Sequence, residues 1–168
     1  MVLSAVRGRT NLELLQKLGM AAAVMGQSAQ YCQYPVACLP LWIEPAIRHE
    51  QIHFFLDHAG SAVGYMTWAW LAADTEYRLA HDPSVLLHLS EWNEGDRLWV
   101  LDFVLLGGEL RSRVREAADL FGRDQQVVRF LRRREDETVK AVHTWQRGSS
   151  NSTFHPKKST GLSMVCHT

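Results

Sequence analysis

The stretch Leu98-Trp99-Val100-Leu101-Asp102-Phe103-Val104-Leu105-Leu106 is apolar at every position but one, and it constrains the fold of the chain more than any other. Gly95 and Asp96 supply a turn before it, and its β-branched and aromatic content predicts a buried strand. Asp102 interrupts the run. A carboxylate inside so apolar a strand is costly unless it is hydrogen-bonded, paired or protonated. Two readings are open: a structural carboxylate that satisfies backbone amides or the base of a loop, and a catalytic one.

Gly107-Gly108 follows the strand and opens Glu109–Phe121, where Leu110, Val114, Ala117, Leu120 and Phe121 recur at helical spacing. The expected unit is strand, glycine loop, helix. The free N–H groups and positive dipole end of such a helix start suit a phosphate or pantetheine arm, and a plain strand-to-helix turn would look the same in sequence.

A chain of 168 residues fits one domain with a core of its own. Hydrophobic residues make up 46% and charged ones 21%, and 18 basic residues balance 18 acidic ones, which argues against a nucleic-acid partner. No run approaches the roughly 20 apolar residues of a transmembrane helix, and Met1–Thr10 lacks an apolar signal region, so a cytoplasmic protein without a transmembrane segment is expected. Cys32, Cys38 and Cys166 fit neither a disulfide framework nor a zinc site.

In chain order, residues 1–10 read as a flexible lead. Asn11 is placed to cap an amphipathic helix through Leu12, Leu14, Leu15, Leu18 and Ala21–Met25 that packs on the sheet. That helix should end in Gln27–Pro35, a loop carrying Ser28, Tyr31, Cys32 and Tyr34. Leu41–Arg48 is a short apolar segment, and Gln51–Leu56 and Ala62–Trp70 read as two strands around Asp57-His58-Ala59-Gly60. His49, His53 and His58 suggest no metal site, because His49 and His53 on one strand would lie about 13 Å apart.

Asp74–Leu79 reads as a further strand, and a short helix is expected from His81-Asp82-Pro83-Ser84 through Leu89. After the Glu109–Phe121 helix, Val127–Leu131 and Val139–Trp145 are strands joined by a charged turn, Arg132–Glu137. That turn is solvated, or else a docking point for an acidic carrier protein. The domain spans residues 11–147, and the polar stretch 148–168 reads as a disordered tail.

Four blocks carry a family likeness: Leu18-Gly19 with Ser28 and Tyr34-Pro35-Val36; Pro45-Ala46-Ile47-Arg48; Tyr65 with Thr67-Trp68-Ala69; and Gly95 through Phe103. In their order and spacing the chain resembles the RTX toxin-activating lysine acyltransferases. That resemblance implies an α+β, single-domain fold like that of the GCN5-related N-acetyltransferases, with a mixed, mostly antiparallel sheet flanked by helices, commonly as a homodimer. It implies transfer of an acyl group from acyl carrier protein, or from coenzyme A, to a lysine of a protein toxin, with the thioester as donor substrate and no resident cofactor or metal.

By the same resemblance Asp102 falls on the family's catalytic aspartate and Ser28 on a serine of its catalytic loop; Gly107 and Gly108, from the strand–glycine–helix pattern rather than from the resemblance, are candidates for donor binding. The pattern breaks at Tyr31, which stands where the family has its essential histidine. A histidine accepts a proton near neutral pH, whereas an ordinary tyrosine, with a pKa of about 10, does not. Tyr31 is then a general acid for the leaving thiolate, with amine activation falling to Asp102, a water or another histidine, or else a mark of lost activity. Val104-Leu105-Leu106-Gly107-Gly108 also replaces a more polar, proline-containing loop. Cys32 is either an acyl-thiol nucleophile or a small packing residue. Two further readings stay open: the same fold acting on a small-molecule or peptide amine, and a non-catalytic module that binds the acyl chain or its carrier.

Overall fold

The computed structural model describes residues 2–82, 84–122, 127–133 and 139–146. The Leu98–Leu106 run forms the central strand of a five-stranded sheet. Its strands are β1 (Ile52–Leu56), β2 (Ala62–Leu71), β3 (Arg97–Leu105), β4 (Val127–Arg133) and β5 (Val139–Gln146), and they lie in sequence order. All neighbours are antiparallel except β3 and β4, which pair in parallel. A parallel pair needs a crossover, and α4 (Leu110–Leu120) supplies it.

The helices divide between the two faces because side chains alternate along each strand. On one face Met66, Phe103, Phe55 and Val128 meet Ala117 of α4, with Leu110, Val114 and Phe121 packed around them. On the other, α1 (Val2–Gln27) sets Ala21, Val24 and Met25 against Tyr65 and Val104. Beside it, Ala46 of α2 (Glu44–Arg48) and Leu79 of α3 (Ala73–His81) cover Ala69, Leu71 and Trp99. The expected hairpin of β1 and β2 is present, with Asp57 accepting hydrogen bonds from the Ala59 and Ser61 amides in the turn.

Three expectations are corrected. Asn11 lies inside α1 rather than capping it, since the helix begins at Val2. Asp74–Leu79 is helix α3, not a strand: Asp74 and Glu76 occupy its first turn and Arg78 and His81 its last, each complementing the dipole, and buried Thr75 and Leu79 share one helical face. Among the described residues the helix expected from His81 to Leu89 does not form, His81 being the last residue of α3. Asp82 accepts hydrogen bonds from the Ser84 amide and hydroxyl, closing a turn instead, and the helical residues come later, as a 3₁₀ turn at Leu89–Trp92 capped by His88 and Glu91. Most of the Arg132–Glu137 turn and the 148–168 stretch lie outside the described residues. Among the described residues no helix is long and apolar enough to cross a membrane.

Glu76 fastens α3 to the sheet. Its carboxylate accepts the Trp99 indole N–H at 2.9 Å and pairs with Arg97 of β3 and Arg129 of β4 at 2.9 and 3.3 Å. At the entrance to β3 the Gly95 amide donates to the Trp70 carbonyl, and a Cβ there would collide with the Leu71 backbone. Gly95→Ala should therefore cost about 1–3 kcal/mol in thermal or denaturant unfolding. Gly19→Ala in open space on α1 should be neutral or stabilising by up to about 1 kcal/mol. Equal effects of the two changes would contradict this packing.

On the α4 face, His53 Nε2 lies 2.8 Å from Glu116 Oε1, and Arg113 Nη1 donates to Glu116 Oε2 at 2.9 Å. Burial works to raise the Glu116 pKa, but the hydrogen bonds and charges of His53 and Arg113 outweigh it and hold the carboxyl below the ordinary value of 4.5. A lowered carboxyl pKa gives stability that is full above the ordinary value and is lost as pH falls through the folded one. Glu116→Gln should thus cost on the order of 0.5 kcal/mol at neutral pH, given partial exposure, and the difference should vanish in strong acid. A pH series of unfolding midpoints checks this, and a difference that grows in acid would contradict it.

Candidate functional site

Asp102 reaches its site through a break in strand register. Thr67 pairs with Asp102 but its neighbour Trp68 pairs with Val100, so β3 carries one extra residue, Leu101, at a β-bulge. Below the bulge Trp99 belongs to the α3 face and Leu98 and Val100 to the α4 face. Strict alternation would send Asp102 with Val100 towards α4. The extra residue reverses the parity, so Asp102 and Val104 face the α1 side while Phe103 and Leu105 face α4.

Opposite this face, α1 ends at Gln27, whose side-chain amide donates to the Ala23 carbonyl. Ser28 follows, its amide bonded to the Val24 and Met25 carbonyls, and a 3₁₀ turn spans Tyr31–Gln33. The Ser28 hydroxyl accepts the Tyr31 amide at 3.4 Å and its carbonyl accepts the Cys32 amide at 2.9 Å, so Ser28 shapes the turn that carries Tyr31. Tyr34 meets the Tyr31 ring edge-on at 5.3 Å and Trp42 at 6.4 Å.

The Tyr31 hydroxyl donates to Asp102 Oδ1 at 2.9 Å, a contact between residues 71 positions apart. Both are buried, Tyr31 at 5% exposure and Asp102 at 3%. The second carboxylate oxygen, Oδ2, accepts the Thr67 hydroxyl at 3.3 Å, and the Asp102 amide donates back to Thr67 Oγ at 3.1 Å. Asp102 thereby receives hydroxyl donors from two other elements, as a carboxyl group inside the core requires. Thr67 was not singled out as a site residue from sequence. Its signal was a hydroxyl between Met66 and Trp68 in an otherwise apolar strand.

Ser28, Tyr31 and Asp102 are therefore gathered together, with Ser28 acting on Tyr31 through the backbone. Gly107 and Gly108 are not part of that group. They lie beyond the end of β3, roughly 15 Å along the strand from Asp102. There they line a cleft of about 170 Å3 with Asp57, His58, Glu109 and Arg113. Gly107 has φ 152°, a conformation that side-chain-bearing residues rarely adopt, which explains the glycine at this turn. The Arg113 side chain donates to the Leu56 carbonyl and pairs with Glu109 and Glu116, so its charge is already engaged by the fold.

The remaining candidates are elsewhere. Cys32 is exposed and its thiol contacts the Ala29 carbonyl, whereas Cys38 is buried and burial pushes its thiol pKa up, leaving an unreactive packing residue. His49 Nε2 lies 2.9 Å from the Leu89 carbonyl and His53 on Glu116, and among the described residues no three His, Cys, Asp or Glu side chains gather as metal ligands.

The chain is similar in sequence to known proteins. The RTX-II toxin-activating lysine-acyltransferase ApxIIC of Actinobacillus pleuropneumoniae is 30% identical over 92 residues, covering 55% of this chain and 56% of its own. The protein-lysine myristoyltransferase RtxC of Kingella kingae is 26% identical over 110 residues, 66% and 65% of the two chains. The protein-lysine myristoyltransferase HlyC of Escherichia coli is 28% identical over 95 residues, 56% and 53%. The matched stretch thus spans between about half and two thirds of each of these relatives. Residues 10–146 match the family described as HlyC, RTX toxin acyltransferase family, and the chain belongs to that family.

Proposed function

We propose that this chain transfers an acyl group from an acyl carrier protein thioester to the ε-amino group of a lysine in a protein toxin. The observation that carries the proposal is the 2.9 Å hydrogen bond from Tyr31 to Asp102. It joins Tyr31 and Asp102, which stand at the positions where the family likeness expects a histidine and an aspartate, and we read the two as an acid–base pair. The relatives' names, lysine acyltransferase and protein-lysine myristoyltransferase, support the reaction class and the lysine acceptor.

In the reaction the amine nitrogen attacks the thioester carbonyl, a C–N bond forms and the C–S bond breaks. The amine gives up a proton, and the leaving thiolate takes one up. A tyrosine hydroxyl is a weak base alone, but one that passes its own proton to a carboxylate as it receives another is a relay. Tyr31 would accept the amine proton while handing its own to Asp102, and the same pair running in reverse would protonate the thiolate. Since both groups are buried, the Ser28–Pro35 loop must open to admit the thioester and the amine.

We read the sheet, mostly antiparallel with a single parallel β3–β4 pair, as the GCN5-related N-acetyltransferase type acting as a homodimer in the cytoplasm, where carrier thioesters are made. The cleft at Gly107 and Gly108 is the proposed seat for part of the donor arm, supported by its backbone amides at the start of α4. A second reading, a non-catalytic acyl or carrier-binding module, is favoured by the burial of Tyr31 and Asp102.

One experiment separates the two readings. The protein is incubated with a panel of acyl carrier protein and coenzyme A thioesters and a lysine-bearing RTX protoxin, and intact masses are followed. Acyl mass should move to the protoxin from a carrier thioester, and Asp102→Asn should slow it by at least about 100-fold while the unfolding midpoint shows a folded protein. Intact thioesters across the panel would favour the binding module. Undiminished transfer by Asp102→Asn would remove Asp102 from the chemistry.

A further inference from the structure

Thr67 is a fully buried residue whose hydroxyl has no packing reason to be there. It is 0% exposed in the middle of β2, where valine has the same shape, suits a strand and carries no desolvation cost. The hydroxyl is spent on one neighbour. Thr67 Oγ accepts the Asp102 amide at 3.1 Å and reaches Asp102 Oδ2 at 3.3 Å. Because the lone pairs take the amide, the single hydroxyl proton goes to the carboxylate. Backbone and side chain of Asp102 are thus both tied to one atom, which, together with the Tyr31 bond at Oδ1, restrains the rotation of the carboxylate.

The bulge explains why such a clamp is needed. At a bulge the ladder is locally disrupted and backbone groups lose their strand partners. The register slips between Thr67 and Trp68, immediately beside the Asp102 amide. Thr67 supplies the side-chain acceptor there, and in the same contact aims Oδ1 of the carboxylate at the Tyr31 hydroxyl.

We propose that Thr67 is a positioning residue that sets the carboxylate of Asp102 for its bond to Tyr31. The inference rests on the acyl-transfer reading only for its kinetic consequence. Thr67→Val keeps the volume and removes the clamp. It should lower kcat by about tenfold to a hundredfold, the worth of a hydrogen bond to a charged group, with KM within about twofold of wild type. Thr67→Ser, which restores the hydroxyl, should recover most of the loss. A threonine that merely fills the strand would show no recovery by serine beyond that of its unfolding midpoint.

A second readout does not depend on catalysis. The 13Cγ resonance of Asp102 reports the hydrogen bonding of its carboxylate. It should move in Thr67→Val, move again in the same sense when Tyr31→Phe is added to wild type, and return towards wild type in Thr67→Ser. If the wild-type protein transfers no acyl group, the proposed function fails while this resonance still decides the role of Thr67. An unchanged resonance in Thr67→Val would overturn the clamp, as would unchanged kcat in an active enzyme. If Thr67→Val does not fold, Thr67→Cys, similar in volume with a weaker donor, takes its place, and an unchanged Asp102 resonance there would equally overturn it.

Discussion

A buried carboxylate is the constraint around which this structure is arranged. A carboxyl group in the interior of a small domain is tolerated when its oxygens are occupied by donors, and Asp102 receives donors from Tyr31 in the loop after α1 and from Thr67 in the neighbouring strand. The loop, the sheet and the bulge therefore depend on one another. Losing the Tyr31 or the Thr67 hydroxyl would take a donor from a buried carboxyl group, which costs more than losing an ordinary surface contact.

The bulge at Leu101 links the two halves of the sheet's chemistry. Below it β3 follows the pattern of its edge, with Trp99 turned to α3 and held by Glu76. Above it the parity is reversed, and Asp102 and Val104 turn to α1 while Phe103 and Leu105 serve the α4 face. A single extra residue thus lets one strand fill three apolar clusters and still present a carboxylate to the loop that carries Tyr31. The dense packing on both sides keeps the strand from sliding back into simple alternation.

Much of this was legible in the sequence. The apolar run around Asp102, the two strands read at Gln51–Leu56 and Ala62–Trp70 and the helical spacing in Glu109–Phe121 each correspond to an element that is present. What could not be read was of two kinds. Ala73–His81 has few apolar residues, so its helix is visible only in the placement of its charges and in Thr75 and Leu79, a weaker signal than hydrophobic periodicity. The bulge leaves no trace in an apolar run, because residues on either face of β3 are buried and the pattern looks the same with or without the extra residue. That is also why the partnership of Thr67 with Asp102 was hidden, while the partnership of Tyr31 with Asp102 was suggested only by the likeness to the family.

We propose that Tyr31, acting through Asp102, takes the proton-transfer part that the family likeness assigns to a histidine. Single-turnover acyl transfer by Tyr31→Phe tests it most directly, since phenylalanine keeps the ring against Tyr34 and removes only the hydroxyl that meets Asp102. Transfer should fall by about 100-fold or more with donor binding retained, as the loss of a proton-transfer group requires. Transfer at the wild-type rate would contradict the account, leaving the Tyr31–Asp102 bond as a fastening of the core and the chemistry to be sought in other residues.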